Sequence, residues 1–92
     1  MLRMNISSEA IEILKERQNS ELFNWQVTMY DFSWWQPPKF GVAPLEQRED
    51  QDIIFQFDEV KLSVTEEIAA LVKEISIIYT EPKIEVKVQY KS

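Results

Sequence analysis

In "FNWQVTMYDF", Trp25, Val27 and Met29 fall on one side of an extended chain, and Asn24, Gln26, Thr28 and Tyr30 fall on the other. That period of two predicts a half-buried strand. The period recurs in "IIFQF", with Ile53, Phe55 and Phe57 on one face, and in "VKLSV", with Val60, Leu62 and Val64 on one face. Asp58 and Glu59 lie between those two runs, so a hairpin is expected there. It returns in "KIEVKVQY", where Ile84, Val86, Val88 and Tyr90 alternate with charged or polar neighbours, as in a strand with one wet face. Leu2 to Ile6 alternate weakly and read as a short first strand. Phe40, Val42 and Leu45 read as another short strand.

The period changes to that of a helix in two places. Ser7 or Ser8 can cap the first, with Glu9 near the positive end of its dipole, and Ala10, Ile13 and Leu14 form an apolar stripe beside Ile11. The stripe fades at Arg17, and "QNSE" reads as a loop. Thr65 caps the second, whose first turn holds Glu66 and Glu67; Ile68, Leu71, Val72 and Ile75 have the spacing of one helical face. "ISIIY" either extends that helix or begins a strand, and its β-branched residues favour the strand, which Pro82 interrupts. "EQREDQD" is read as a solvated turn. The order of strand, helix, several strands, short helix and strand predicts one α+β domain spanning residues 1–92. That length suits one domain and not two.

Composition narrows the chemistry. With 45% of residues hydrophobic and 28% charged, the chain has enough apolar area to offset the entropy of folding. Its net charge of −6, without a cluster of Lys and Arg, argues against nucleic acid and against adhesion to anionic membrane. No apolar run approaches a membrane span and no charged-then-apolar leader opens the sequence, so a cytoplasmic protein is expected. Cysteine and histidine are both absent, which removes disulfides, thiolate nucleophiles, Cys/His zinc sites and a Ser-His-Asp triad. Carboxylate chemistry, lysine chemistry or no chemistry remains.

Two stretches together resemble the HesB-like family of A-type iron–sulfur carrier and biogenesis domains. "MNISSEAIEILKER" is similar to that family's opening strand and capped helix. "DIIFQFDEVKLSVTEEIAALVKEISIIYTEPKIEVKV" is similar to its hairpin, short helix and final strands in order and length. The resemblance implies a fold of small, curved mixed β-sheets, a pseudo-barrel or sandwich, with one main N-terminal helix and a second short helix. It also implies a tendency to self-associate. The family's carriers hold their cluster with a cysteine in a Gly-rich loop after the second strand and two more in a Cys-Gly-Cys tail. Here the loop position reads "FSWWQPP" and the chain has no cysteine, so no ligand position carries over and no cofactor is expected.

That position is also the least ordinary stretch of the chain: "DFSWWQPPKFGVAP" sets Trp34 and Trp35 against Pro37 and Pro38, ahead of the sole glycine, Gly41. Trp34, Trp35 and Phe40 either cover an open end of the sheets or supply an exposed anchor for a protein partner or small apolar ligand. The expected arrangement is a stiff projecting arm with one tryptophan packed inward and the other accessible. Lys39 is expected to lie on the surface with its stem over an aromatic ring. Glu46, Glu49, Asp50 and Asp52 could bind a divalent cation, but calcium needs six or more oxygens around a turn that usually holds glycine, and this run has none. The favoured expectation is a non-enzymatic protein-interaction or small-ligand-binding module, with the homo-oligomer that the family resemblance implies. A carboxylate-dependent enzyme or a divalent-metal protein is the alternative.

Overall fold

The computed structural model describes residues 2–18, 24–31, 33–45 and 52–91. In chain order, the described residues form β1 (Arg3–Ile6), α1 (Ser8–Arg17), β2 (Asn24–Tyr30), β3 (Lys39–Leu45), β4 (Ile53–Phe57), β5 (Val60–Val64), α2 (Glu66–Leu71), β6 (Val72–Thr80) and β7 (Lys83–Tyr90). The strands make two mixed sheets, ordered β1-β6-β7 and β3-β2-β5-β4. β1 runs parallel to β6, and β2 parallel to β5; the remaining pairs are antiparallel. No described helix is long and apolar enough to cross a membrane. The expected α+β architecture of small mixed sheets with one main helix and one short helix is the one observed.

Both helices start on the hydroxyl that the sequence offers. Ser7 caps α1, its Oγ accepting from the Ala10 N–H at 3.1 Å, and Thr65 caps α2, its Oγ1 accepting from the Ile68 N–H at 3.4 Å. The Ser7 N–H donates to the Ile77 carbonyl at 3.0 Å, so the last link of the β1–β6 pairing also sets where α1 begins. From there Ala10 and Leu14 are buried, with Ile11 packing at the margin of the core. At the other end of α1, Gln18 accepts from the Trp25 indole N–H at 3.3 Å and donates to the Glu59 carbonyl at 3.2 Å. One amide thus ties the helix end to β2 and to the β4–β5 turn. Lys15 pairs with Asp58 in that turn, and the hydrogen bond to the carboxylate raises the Lys15 pKa above its ordinary value.

The core gathers Ala10 and Leu14, Trp25 and Val27 of β2, Val60, Leu62 and Val64 of β5, Ile68 of α2, and Val72, Ile75 and Ile77 of β6. β5 lies between β2 and β4 and is the most deeply buried strand; even Ser63 is buried. The expected alternation in β2 holds, with Trp25 and Val27 buried, Met29 half-buried and Tyr30 exposed. The β4–β5 hairpin closes over Asp58 and Glu59 as expected, with Phe57 opposite Val60 and Asp58 at φ 59°, a left-handed conformation that aspartate tolerates.

Three expectations need correction. Ile68, Leu71, Val72 and Ile75 do not share a helical face. α2 ends at Leu71, which is 42% exposed, while Val72 and Ile75 belong to β6 and are fully buried. A regular strand would turn residues three apart to opposite faces. Here the register slips between Val72 and Glu74, a bulge that turns both Val72 and Ile75 inward. The spacing that imitates a helix is a strand with one extra residue. Next, β3 is not a short strand: it pairs with β2 along its whole length, from Tyr30–Lys39 to Asn24–Leu45. It also carries Pro44, which an edge strand accommodates because an outward residue needs no ladder N–H. Finally, Ile53 does not share the half-buried state of Phe55 and Phe57. It opens an edge strand and is 39% exposed.

Because Leu62 is fully enclosed and Ile53 is not, their truncations should separate. Leu62→Ala is expected to cost about 2–5 kcal/mol in a urea titration, as for a buried leucine that leaves a cavity. Ile53→Ala is expected to cost less than about 1 kcal/mol.

Candidate functional site

β2 and β3 are the two arms of a hairpin whose last pair is Tyr30–Lys39, so residues 31–38 connect them. Asp31 turns the chain out of β2 at φ 54°, a value that aspartate adopts more readily than most residues. Within the connection, Ser33 and Gln36 pair through an isolated antiparallel bridge, leaving Trp34 and Trp35 as the two central residues of a tight turn. Pro37 and Pro38 then fix φ for the return path into β3. At the base of the arm, Lys39 Nζ lies 3.5 Å from Asp31 Oδ2. Lys39 thus lies on the surface, as expected, and serves as an ion-pair partner across the arm. Both side chains are well exposed, so this pair orients the arm more than it stabilises it.

Both tryptophans face solvent. Trp34 is 91% exposed and Trp35 69% exposed, so the expectation that one of them packs inward is overturned, as is the reading that they plug an end of the sheets. The physical reason is the bridge. A turn pinned at Ser33 and Gln36 carries its central residues away from the sheet, and among the described residues the two indoles pack on each other. The rings meet edge to face, with centroids 5.5 Å apart and planes at 89°. The chain's third tryptophan, Trp25, is the one that enters the core.

Phe40, the third candidate contact, has a different place. It is half-buried against the core and meets Tyr90 edge to face, with ring centroids 6.2 Å apart. Phe40 and Tyr90 belong to β3 and β7, the edge strands that lie against each other where the two sheets meet. Between these strands opens a groove of about 480 Å³. Pro37, Pro38 and Phe40 line it on one side and Ile84, Val86 and Val88 on the other, with Lys39, Lys83 and Lys87 among the polar lining residues. Tyr30 contributes as well. Its ring lies over Gly41, where an added Cβ would come within 3.3 Å of Tyr30 Cε1, so glycine here admits the close approach of the ring. The periodicity of β7 placed Ile84, Val86 and Val88 on one face. It could not show that this face meets the prolines of the arm, since the meeting depends on how the sheets pack. A second concavity, about 330 Å³, lies between β2 and α2, beside Met29 and Thr65.

The run of acidic candidates falls mostly outside the described residues. Glu46, Glu49 and Asp50 lie outside the described residues, and among the described residues no three carboxylates gather as a cation would require. Asp58 is engaged by Lys15, and Glu66 and Glu67 sit in the first turn of α2, as expected of helix-start acids.

No protein-family description matches this chain, and neither does any curated protein. Its fold does match solved structures. The crystal structure of Escherichia coli SufA, described as involved in biosynthesis of iron–sulfur clusters, superposes with a TM-score of 0.68 over 97% of this chain and 79% of that one, at 11% identity. The crystal structure of IscA with a [2Fe-2S] cluster superposes with a TM-score of 0.63 over 95% of this chain and 81% of that one, at 12% identity. The resemblance read from the sequence is therefore one of fold: the chain has the HesB-like architecture of SufA and IscA and contains no cysteine.

With two of its three tryptophans in solvent, the chain should report on the arm by fluorescence. The Trp34→Ala/Trp35→Ala double variant is expected to emit at shorter wavelength and to resist acrylamide quenching, since only buried Trp25 remains. Each single substitution is expected to change stability by less than about 1 kcal/mol in urea. A loss of about 3–5 kcal/mol for either would mean that its ring is a core residue.

Proposed function

We propose that this chain is a non-enzymatic, cytoplasmic protein-binding module built on the HesB-like fold, and that the Trp34–Trp35 arm with the Phe40 wall of the adjoining groove is its contact surface. The observation that carries this reading is the exposure of both indoles on a turn held by the Ser33–Gln36 bridge. A tryptophan buries roughly 150–250 Å² when covered, which at about 25 cal/mol per Å² amounts to several kcal/mol before the costs of association. Two such rings on an arm stiffened by two prolines offer that gain with little ordering entropy still to be lost, which is the usual character of an interface anchor. The groove continues the apolar surface from the arm across Phe40 to β7.

The cargo of the proteins that share this fold cannot be held here by the same chemistry. Iron–sulfur clusters are held chiefly by cysteine thiolates, with histidine as the known substitute at some irons, and this sequence has neither residue. The place where the family resemblance puts a cluster loop, the β2–β3 connection, carries the tryptophans and prolines instead. In this reading the scaffold is kept and its loop is turned from metal ligation to apolar contact. After anaerobic incubation with iron and sulfide, the protein is expected to stay colourless. A cluster-type absorption band with stoichiometric iron would overturn the reading.

The binding claim has its own test. Columns bearing the native chain and the Trp34→Ala/Trp35→Ala variant are run in parallel over extract from the source cell. At least one protein is expected to be held by the first and lost from the second, and an identical set on both would remove the arm as the contact surface. The hard-metal alternative is checked by thermal unfolding with calcium, magnesium or manganese, since an ion bound only by the folded state raises the melting temperature. No saturable rise is expected. A rise abolished by Asp50→Asn and Asp52→Asn would replace the proposal.

A further inference from the structure

The groove beside the arm has a charge opposite to that of the whole chain. The sequence carries 16 Asp and Glu against 10 Lys and Arg, yet the described lining of the groove holds Lys39, Lys83 and Lys87 against one acid, Glu85. With Asp31 added, which pairs with Lys39 at the base of the arm, cations still lead by three to two. The ladder with β6 sets Lys83, Glu85 and Lys87 opposite Thr80, Ile78 and Ser76, so all three share the face of β7 turned away from the core. Lys83 and Lys87 are exposed, and Glu85 is half-buried. Among the described residues neither of these two lysines has an ion-pair partner.

We infer, resting on the binding reading above, that the partner segment bound here is an extended acidic stretch of another protein. Its apolar side chains fill the groove and meet the tryptophans, while its carboxylates lie against Lys83 and Lys87. A cationic lining on an anionic protein attracts acidic segments to this face and leaves the rest of the surface to repel them. The floor, with Pro38, Phe40, Ile84 and Val86, requires apolar residues among the acids.

Shape selects a linear occupant. β7 lines the groove from Lys83 to Tyr90, seven residue steps, or about 23 Å at about 3.3 Å per residue. Spread over that length, about 480 Å³ is a trench that takes one chain lengthwise and does not enclose a compact ligand. Stretches that mix acidic and apolar residues stay unfolded alone, because their charges repel and their apolar area is too small for a core. The contact is made by side chains. The outer side of β7 already faces β3, with the Phe40–Tyr90 ring contact between them, so no strand is added there.

The test is selection from displayed random peptides of about eight residues, the length of the groove at that rise. The native chain is expected to enrich sequences that combine Asp or Glu with large apolar residues. For a selected peptide, Lys83→Glu/Lys87→Glu is expected to weaken binding by roughly tenfold or more, since like charges then face each other. Glu85→Lys, which removes the acid from the lining, is expected to tighten it several-fold, a gain that a misfolded variant could not give. Enrichment of neutral or basic peptides overturns the inference, as does an acidic peptide indifferent to both variants. If the charge preference is missing while Trp34→Ala/Trp35→Ala still loses the partner from cell extract, the inference fails and the binding reading stands. If the lysine variants act as expected while the tryptophan variant binds like the native chain, the groove keeps its acidic segment and the arm loses its role. A native chain that selects no peptide also overturns the inference, and binding to phosphatidylcholine vesicles would then assign the tryptophans to a lipid surface.

Discussion

The pairing of β6 on both sides, parallel to β1 and antiparallel to β7, is the constraint on which the rest of this fold depends. It ends α2 at Leu71: the Val72 N–H still closes the helix on the Ile68 carbonyl, but from Glu74 onward the backbone pairs with neighbouring strands and not with a next helical turn. It places the bulge that turns Val72 and Ile75 into the core together. Through the Ser7 N–H on the Ile77 carbonyl, it also sets where α1 starts, and so which of its residues reach β5 and β6. A parallel pair joining the two ends of the sequence closes a long loop, whose entropy must be offset by burial. Ile75 and Ile77, both fully enclosed, lie in the paired stretch.

Satisfying that core uses the aliphatic residues of β5 and β6 and a single indole, that of Trp25, which also finds a hydrogen-bond partner in Gln18. Trp34 and Trp35 are excluded from it by geometry and not by chemistry. The β2–β3 hairpin pairs out to Tyr30–Lys39, and the bridged turn lies beyond that last pair, where no described element covers them. Two large apolar side chains held in water by a pinned, proline-flanked turn are a local cost to solubility, and contact with another molecule would remove it. The same hairpin brings Pro37, Pro38 and Phe40 beside β7, which joins the arm to the groove at the meeting of the sheets. The arm and the groove are thus one apolar surface made by two edge strands of different sheets.

Against SufA and IscA, the chain keeps the scaffold and lacks the thiols. An architecture can persist at 11–12% identity because strand pairing and burial demand a pattern of residue types and not particular residues. Ligation is less forgiving, since a soft metal centre requires thiolate or imidazole at defined points. Fold and ligand chemistry are therefore separable demands on a sequence.

The sequence by itself determined what depends on neighbours along the chain. The caps at Ser7 and Thr65, the turn at Asp58–Glu59, the two-residue period of β2, β5 and β7, and the absence of any thiol or imidazole are all local facts. So is the order of elements that carries the likeness to the HesB-like fold. The tertiary structure decided what depends on pairing across the chain. Residues 68–75 carry an apolar spacing common to a helical face and a bulged strand, and only β1 and β7 on either side of β6 choose between them. Pro44 counts against a strand until β3 is seen to be an edge. The tryptophans at 34 and 35 were expected to divide, one inward and one accessible, because an irregular segment has no period from which to infer a side. Their exposure follows from the Ser33–Gln36 bridge and from where the hairpin stops, and neither is encoded in the residues alone.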